Sequence, residues 1–530
     1  MKKLEGNIVD VIKNRVYPGV IYFNQKILRI ERNNKKYNRY IVPGFIDAHI
    51  HIESSMLVPS KFAELVIPHG TVAVISDPHE IANVLGVKGI EFMIKDSKKV
   101  PLKIFFTCPS CVPATNFETS GGAINAKEAE LLMKKKEIVA LGEMMNFPGV
   151  INRVPEVIEK IKIAKRHNKP IDGHAPLLRG NDLKKYIEAG ISTDHECTSL
   201  EEAKEKQELG MKVMIREGSS AKDMKKLIKL ENAFAFVSDD KDCVELIEKG
   251  HLDFLLRKAI RLGKDPIEAI KMVTINPTKH YNLPFGSIEI GKPAHLVVID
   301  NLRKFKVKEV YIDGKLVAKN GKIKFKKVRK KIKEVNKFNA KFITEKELLI
   351  DIPNNSRVKI IQAYDNKLLT DKIVLKSNQI SKNIQKLVVY NRYSKAAPAV
   401  SFIRGFNLKE CAIAQTIAHD SHNIVCVGSD DKLIVKAINK LIKIKGGIVV
   451  ATPNKIIQLK LGIGGLMGNN PKEIYKKIKE MLALCKKQGC KFKHPFLTLS
   501  FMSLLVIPHL KLSDKGLFDS DNFCFVKVYE

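Results

Sequence analysis

Val42-Pro-Gly-Phe-Ile-Asp-Ala-His-Ile-His-Ile-Glu-Ser-Ser-Met56 is the stretch from which the rest of this 530-residue chain is read. Pro43-Gly44 breaks whatever precedes it and lets a new strand begin. An apolar run then ends in His49 and His51. Side chains two apart on a strand point to one side. Two imidazoles at a strand end can therefore grip one metal ion. The same pair could be two hydrogen-bonded histidines in a sheet, and the later residues decide between the two readings.

Residues 43–240 repeat one rhythm: a short apolar run, polar residues at its end, then an amphipathic stretch. The runs are Phe45–His51, Thr71–Asp77, Leu102–Thr107, Ile138–Glu143, Pro170–His174, Gly190–His195, Lys212–Arg216 and Ala233–Asp239. Helical patterns lie between them at Ser60–Ile67, Ala82–Lys95, Lys127–Lys136, Pro155–Asn168, Asp182–Ala189, Leu200–Leu209 and Lys222–Leu230. Pro155 suits a first helical turn, and Ser199-Leu-Glu-Glu202 reads as a capping box. Strands alternating with helices imply parallel pairing through right-handed crossovers. Such repetition predicts an α/β fold built on a (β/α)8 barrel.

The flanks differ. Short strands at Val16–Phe23 and Lys26–Ile30, and again at Val307–Ile312 and Lys315–Ala318 around an Asp313-Gly314 turn, predict a composite small β domain from 1–42 plus 276–330. The barrel then occupies 43–275. Lys324–Lys337 reads as a basic linker or solvated turn. A C-terminal α/β domain is expected over 340–530, with elements at Val358–Ala363, Lys386–Tyr390, Asn423–Val427, Lys432–Lys443 and Gly446–Val450.

Composition narrows the class. The net charge is +35, yet the lysines lie along amphipathic stretches, often beside Glu, as in Glu156-Val-Ile-Glu-Lys-Ile-Lys162. No nucleic-acid-reading motif accompanies them, so a solvated surface is expected rather than a nucleic-acid partner. No apolar run reaches the ~18 residues that span a bilayer. Met1-Lys-Lys-Leu-Glu5 lacks an apolar signal core. A cytoplasmic enzyme with no membrane partner follows. The nine cysteines are scattered, and Cys108-Pro-Ser-Cys111 has no second CxxC to complete a zinc site. Packed, reduced thiols are expected there.

In such a barrel the active site lies at the strand C-termini. The strand ends read His49 and His51; Asp77-Pro-His79-Glu80; Gly142-Glu143; Asp172-Gly-His174; Thr193-Asp-His195-Glu196; and Ser238-Asp239-Asp240. Together they place imidazoles and carboxylates at one mouth, a mixed N/O set suited to divalent zinc, manganese or iron. Carboxylates packed this closely would repel one another unless cations neutralise them. Glu143, midway round the ring, can bridge two ions. Asp239 can bind one ion and also shuttle a proton.

The order His-x-His, carboxylate, His, His, Asp resembles that of the metal-dependent amidohydrolases. Gly286-Ser-Ile-Glu-Ile-Gly-Lys-Pro-Ala294 resembles their small β domain. Longer segments resemble the adenine deaminase family of bacteria and archaea. In the barrel region these are Pro43–Met56, Ser76-Asp-Pro-His-Glu-Ile-Ala-Asn83, Val112–Gly121, Gly142-Glu-Met-Met-Asn146, Asp172-Gly-His-Ala-Pro176, Thr193–Glu196 and Val237–Asp240. Ala418-His-Asp-Ser-His-Asn-Ile424 and His494–Phe501 extend the likeness to essentially the whole chain.

The resemblance implies that His49, His51, Glu143, His174, His195 and Asp239 bind two divalent ions, manganese or iron foremost and zinc as an alternative. It implies adenine as the small-molecule substrate and hydrolytic deamination to hypoxanthine and ammonia, a step of purine salvage or catabolism. A hydroxide held between the metals would attack C6. Asp239, Asp240, Glu143 and the His79-Glu80 pair are unranked candidates for moving protons to N1 and the leaving amine. Hydantoinases and dihydroorotases usually have a carbamylated lysine where this chain has Glu143, which argues against those relatives. His295 stands where Asp is common in the superfamily, and Gly464-Gly-Leu-Met-Gly468 has glycine where another small residue is expected.

Other residues carry paired readings. Ala418–Asn423 either brings His419 and His422 to substrate or a further cation, or forms a polar helix end. Phe117 and Glu118 either shape a purine pocket, with Phe117 stacked on the ring, or lie in an ordinary loop. Arg216 either hydrogen-bonds the base or pairs with nearby acids. His251 reads as a structural histidine in a helix, and His167, His280, His494 and His509 as surface or packing residues. Gly462–Leu466 lacks the Lys-Ser/Thr of a phosphate loop. Rival functions are another cyclic amidine or amide hydrolase, a non-catalytic scaffold and a basic RNA-binding protein. A homo-oligomer stays open.

Overall fold

A computed structural model of the chain describes residues 1–328, 332–381 and 383–530. The expected basic linker at 324–337 thus falls partly on 329–331, outside the described residues. The chain divides into two compact units. One comprises Met1–Pro78, Glu91–Cys111 and Ile124–Lys330; the other His79–Ile90, Val112–Ala123 and Lys331–Glu530.

In the first unit the barrel strands are Phe45–His51, Thr71–Ser76, Lys103–Cys108, Ile138–Met144, Ile171–Gly173, Thr193–Asp194, Lys212–Arg216 and Ala235–Val237. Each falls within a residue or two of an apolar run of the sequence or inside one. Strands one to five pair in parallel in chain order, as do six to eight. An Ile171–Ile191 bridge joins the arcs on one side. On the other, Asp239 and Asp240 pair with Ile50 and His51, closing the ring. All seven residues of the first strand are buried, which is why it reads as a continuous apolar run rather than an alternating one.

The helical expectations hold with local changes. Ala82–Lys95 becomes two helices, His79–Leu85 and Val87–Ser97, separated by Gly86 at φ 60°. Lys222–Leu230 shortens to Met224–Leu227. The capping box at 199–202 is only half formed. Ser199 accepts from the Glu202 amide, but the Glu202 carboxylate turns away to the Thr198 and Leu177 amides.

The same unit carries an eight-stranded sheet built from both flanks of the barrel. Tyr40–Pro43 sits between Lys2–Asp10 and Leu296–Ile299. Its core contains Leu4, Ile8, Ile21, Phe23, Ile41, Leu296 and Val298. The Asp313-Gly314 turn has φ of 47° and 66°, the two positive values of a type I′ hairpin. A side chain at Gly314 would also collide with the Asn24 carbonyl. Tyr40–Pro43 runs directly into the first barrel strand and so fixes where His49 and His51 begin.

The second unit holds its own eight-stranded sheet. Helix Asp431–Ile444 packs on it through Leu433, Ile434, Ala437, Ile438 and Leu441 against Val388, Ala412, Cys426 and Val449. Asp430 caps that helix by accepting from the Leu433 amide. No helix of the described residues is long and apolar enough to cross a membrane.

Candidate metal centre

His49 and His51 share one face of the first barrel strand, and both are buried. The His51 Nδ1–H donates to the Asp77 carbonyl oxygen at 3.1 Å. In the neutral ring that bond leaves Nε2 as the unprotonated nitrogen. His51 Nε2 lies 3.4 Å from Glu143 Oε1 and 3.3 Å from Asp239 Oδ1. His49 Nε2 lies 3.6 Å from Asp239 Oδ1.

Glu143 is held from behind. Its amide donates to Asp77 Oδ2 at 3.0 Å. Only glycine fits at 142, because a Cβ there would collide with that same Asp77 oxygen. The Glu143 Oε2 atom lies 2.7 Å from His174 Nδ1 and 3.2 Å from His195 Nε2. The carboxylate thus faces His51 with one oxygen and His174 and His195 with the other, the posture of a bridge. His49 and His195 stack with ring centroids 4.1 Å apart.

Asp239 takes φ 51°, a left-handed conformation that Asp tolerates better than most residues. This kink splits the eighth strand and turns the carboxylate inward. Oδ1 faces the imidazoles while Oδ2 lies 3.4 Å from Arg216 Nη1. Arg216 also pairs with Glu196 through Nη1 and with Asp223 through Nε. Asp240 accepts from Ser54 Oγ at 2.5 Å.

Glu196 is a buried carboxylate whose role at the centre the sequence reading did not single out. Its Oε1 lies 3.7 Å from His174 Nδ1 and 3.6 Å from His195 Nε2. The one signal was its place directly after His195.

The electrostatics follow from burial of so many acids. Burial alone would raise the Glu143 pKa, but His174, His195 and His51 outweigh it and hold the carboxyl well below its usual range. Asp239 is held down likewise by His49 and His51 against its burial. Burial would lower His195, yet Glu143 and Asp239 push it up to about 9. The carboxylates draw positive charge into the centre, as the raised His195 shows.

These residues fit divalent cations. His49 Nε2 is buried without a hydrogen-bond partner, an expensive arrangement unless that lone pair is used. Ligand atoms of His49, His51 and Glu143, of His49, His195 and Asp239, and of Glu143, His174 and His195 form groups with every atom within 4.8 Å of the others. Three overlapping groups sharing Glu143, His49 and His195 suit two adjacent ions.

The remaining expected residues lie in the second unit. Glu80 is clamped by His419 Nδ1 at 2.6 Å and by His422 Nε2. His79 Nε2 lies 3.4 Å from Glu80. The segment carrying His419 and His422 is a turn between strands Ala412–Gln415 and Ile424–Gly428, not the helix end considered from sequence. Phe117 packs among Phe518, Phe523 and Phe525. Burial and the nearby charge of Asp420 push the Glu118 carboxyl well up. His251, in the first unit, is buried between Thr71 and Asp47, a structural histidine. All nine cysteines are free thiols and eight are buried.

A parallel barrel with histidines and acids at its strand ends defines a metallo-hydrolase of the amidohydrolase class. The Amidohydrolase family matches residues 40–317, and the Adenine deaminase C-terminal domain matches 362–524. An adenine deaminase of Methanosarcina mazei is 45% identical, with 100% of both chains covered. That of Sulfurovum sp. is 44% identical with 99% of each covered, and that of Borreliella burgdorferi 43% with 99% of each. The chain belongs to the adenine deaminase family, within the amidohydrolases.

Proposed function

We propose that this protein hydrolyses adenine to hypoxanthine and ammonia at a two-metal centre formed by His49, His51, Glu143, His174, His195 and Asp239. The observation that carries this reading is the ring of six ligand-type side chains, five buried and His174 partly so, with His49 Nε2 left without a hydrogen-bond partner. Full-length likeness to proteins named adenine deaminase supports adenine as the substrate. The family implies divalent metal. The mixed imidazole and carboxylate set suits zinc, manganese or iron, and the family resemblance puts manganese or iron foremost with zinc as the alternative. Bound cations would supply Lewis acidity and an activated water.

The chain's own residues do the rest. Deamination requires a proton at N1 and another on the leaving amine. Asp239 and Glu143 are the carboxylates that face the imidazoles most closely, and Asp240, oriented by Ser54, lies next in line. These three are the proposed proton carriers. Arg216, engaged by Glu196, Asp239 and Asp223, acts as a brace for the carboxylates rather than as a reader of the base. We further propose a cytoplasmic enzyme whose folding parts are 1–42 with 276–330, 43–275 and 340–530.

The test is to load the purified protein with manganese, add adenine, and follow hypoxanthine and ammonia together. Equimolar appearance of both, abolished by a chelator, is expected. No turnover with manganese, iron or zinc, despite bound ions, would move the substrate to another cyclic amidine or amide.

A further inference from the structure

Behind His174 and His195 lies a buried ionic trio that no proposed chemical step uses. Lys206, on helix Leu200–Glu208, is fully buried. An ammonium has three N–H groups to give, and all three are engaged. Nζ donates to the Ala175 carbonyl at 2.6 Å, to Asp194 Oδ2 at 3.0 Å and to Glu202 Oε1 at 2.9 Å.

The two carboxylates also accept from the backbone, and Asp194 from the Cys197 thiol as well. Asp194 accepts from the Ala175 amide at 2.8 Å and the Glu196 amide at 3.1 Å. Glu202 accepts from the Leu177 amide at 2.9 Å and the Thr198 amide at 3.1 Å. Ala175 and Leu177 follow His174, and Glu196 and Thr198 follow His195. The trio therefore stitches the loop after the fifth strand to the loop after the sixth. Those loops need it, for strand pairing ends early there: the strands are only Ile171–Gly173 and Thr193–Asp194. Leu177 stands 74% exposed, with only Ala175 and Leu178 beside it buried. His49 and His51 are instead embedded in the seven-residue first strand.

We propose that Lys206 is a positioning residue that sets the spacing of His174 and His195, and so the affinity of the ion those two share with Glu143. This rests on the two-metal reading. A lysine serving stability alone would lower melting temperature without distinguishing the two ions.

The experiment measures manganese stoichiometry and stepwise chelator competition for the wild type, Lys206→Met, Lys206→Arg and Glu202→Gln. Folding of each is checked by circular dichroism. The wild type should hold two ions. Lys206→Met should keep one at wild-type affinity and weaken the other by roughly 10–100-fold, as loss of a supporting partner does. Glu202→Gln, nearly isosteric, should weaken the same ion less. Lys206→Arg should fail to restore it, because a planar fork cannot reproduce three divergent bonds. Two ions at unchanged affinity in Lys206→Met overturns the proposal. If that variant does not fold, unchanged affinity in Glu202→Gln overturns it instead. A wild type that holds no metal would overturn the metal-centre reading itself, a distinct outcome.

Discussion

Two of the histidine–carboxylate clusters among the described residues are wired in opposite senses. In the barrel, His51 donates from Nδ1 to a carbonyl oxygen, so in the neutral ring its Nε2 lone pair faces Glu143 and Asp239. In the second unit, the Ala418 amide donates to His422 Nδ1 at 3.2 Å. A backbone N–H can only donate to an unprotonated nitrogen. The proton therefore sits on Nε2, which faces Glu80. Burial pushes the His422 pKa down to about 4, in keeping with a neutral ring that donates rather than ligates. With its imidazoles neutral, the first cluster offers lone pairs to a cation; the second spends N–H groups on an anion. Residue type alone does not separate a metal site from a hydrogen-bonded clamp; the partner of the far nitrogen does.

The sharpest way to break this contrast is His174→Ala. Removing a nitrogen that faces Glu143 should cost more than about 100-fold in kcat/KM, beyond the loss typical of supporting partners. Metal analysis of the same sample should show less than the wild-type content. Full activity and full metal would dissolve the distinction.

Glu80→Gln should act the other way. The variant keeps the wild-type number of bound ions but loses an acceptor on which two imidazoles converge. Denaturant unfolding should show a loss of roughly 1–3 kcal/mol, the cost of leaving buried donors poorly paired. Loss of metal in this variant would mean that the second cluster ligates after all.

The smallest effect is a pH slope. His422 has its folded pKa near 4, below the value of about 6.5 expected in the unfolded chain. Between those values the unfolded state binds the proton and the native state does not, so stability rises with pH across this window. The slope is no steeper than about 1.4 kcal/mol per pH unit from one group. In His422→Asn this part of the slope should vanish between pH 4 and 6.5, measured as urea midpoints at successive pH values.

Much of the barrel was legible because its signals are local. Phe45–His51 is a strand with the bounds its apolar run suggested. The six ligand-type residues stood out because each lies at or within two residues of the end of such a run, and the family resemblance picked them from the other residues there. Glu196 escaped because alternation along a strand would point it away from His195. The sixth strand, however, is only Thr193–Asp194, and past its end alternation no longer applies. Lys206 escaped for another reason. It lies in Leu200-Glu-Glu-Ala-Lys-Glu-Lys-Gln-Glu208, a charged helix in which every lysine reads as solvated. The helix end weighed as one reading of 418–423 is a turn instead, because polar residues in series suit either.

The sequence by itself determined the parallel strand order and the set of side chains at the strand ends, since both follow from periodicities of a few residues along the chain. Only the tertiary structure decided which nitrogen of each imidazole is available and which lysine is buried. Those depend on partners far away in sequence. Asp77 lies 26 residues from His51, and Glu80 lies 342 from His422. A proton's place on a ring is set by whichever group folding brings to the other side.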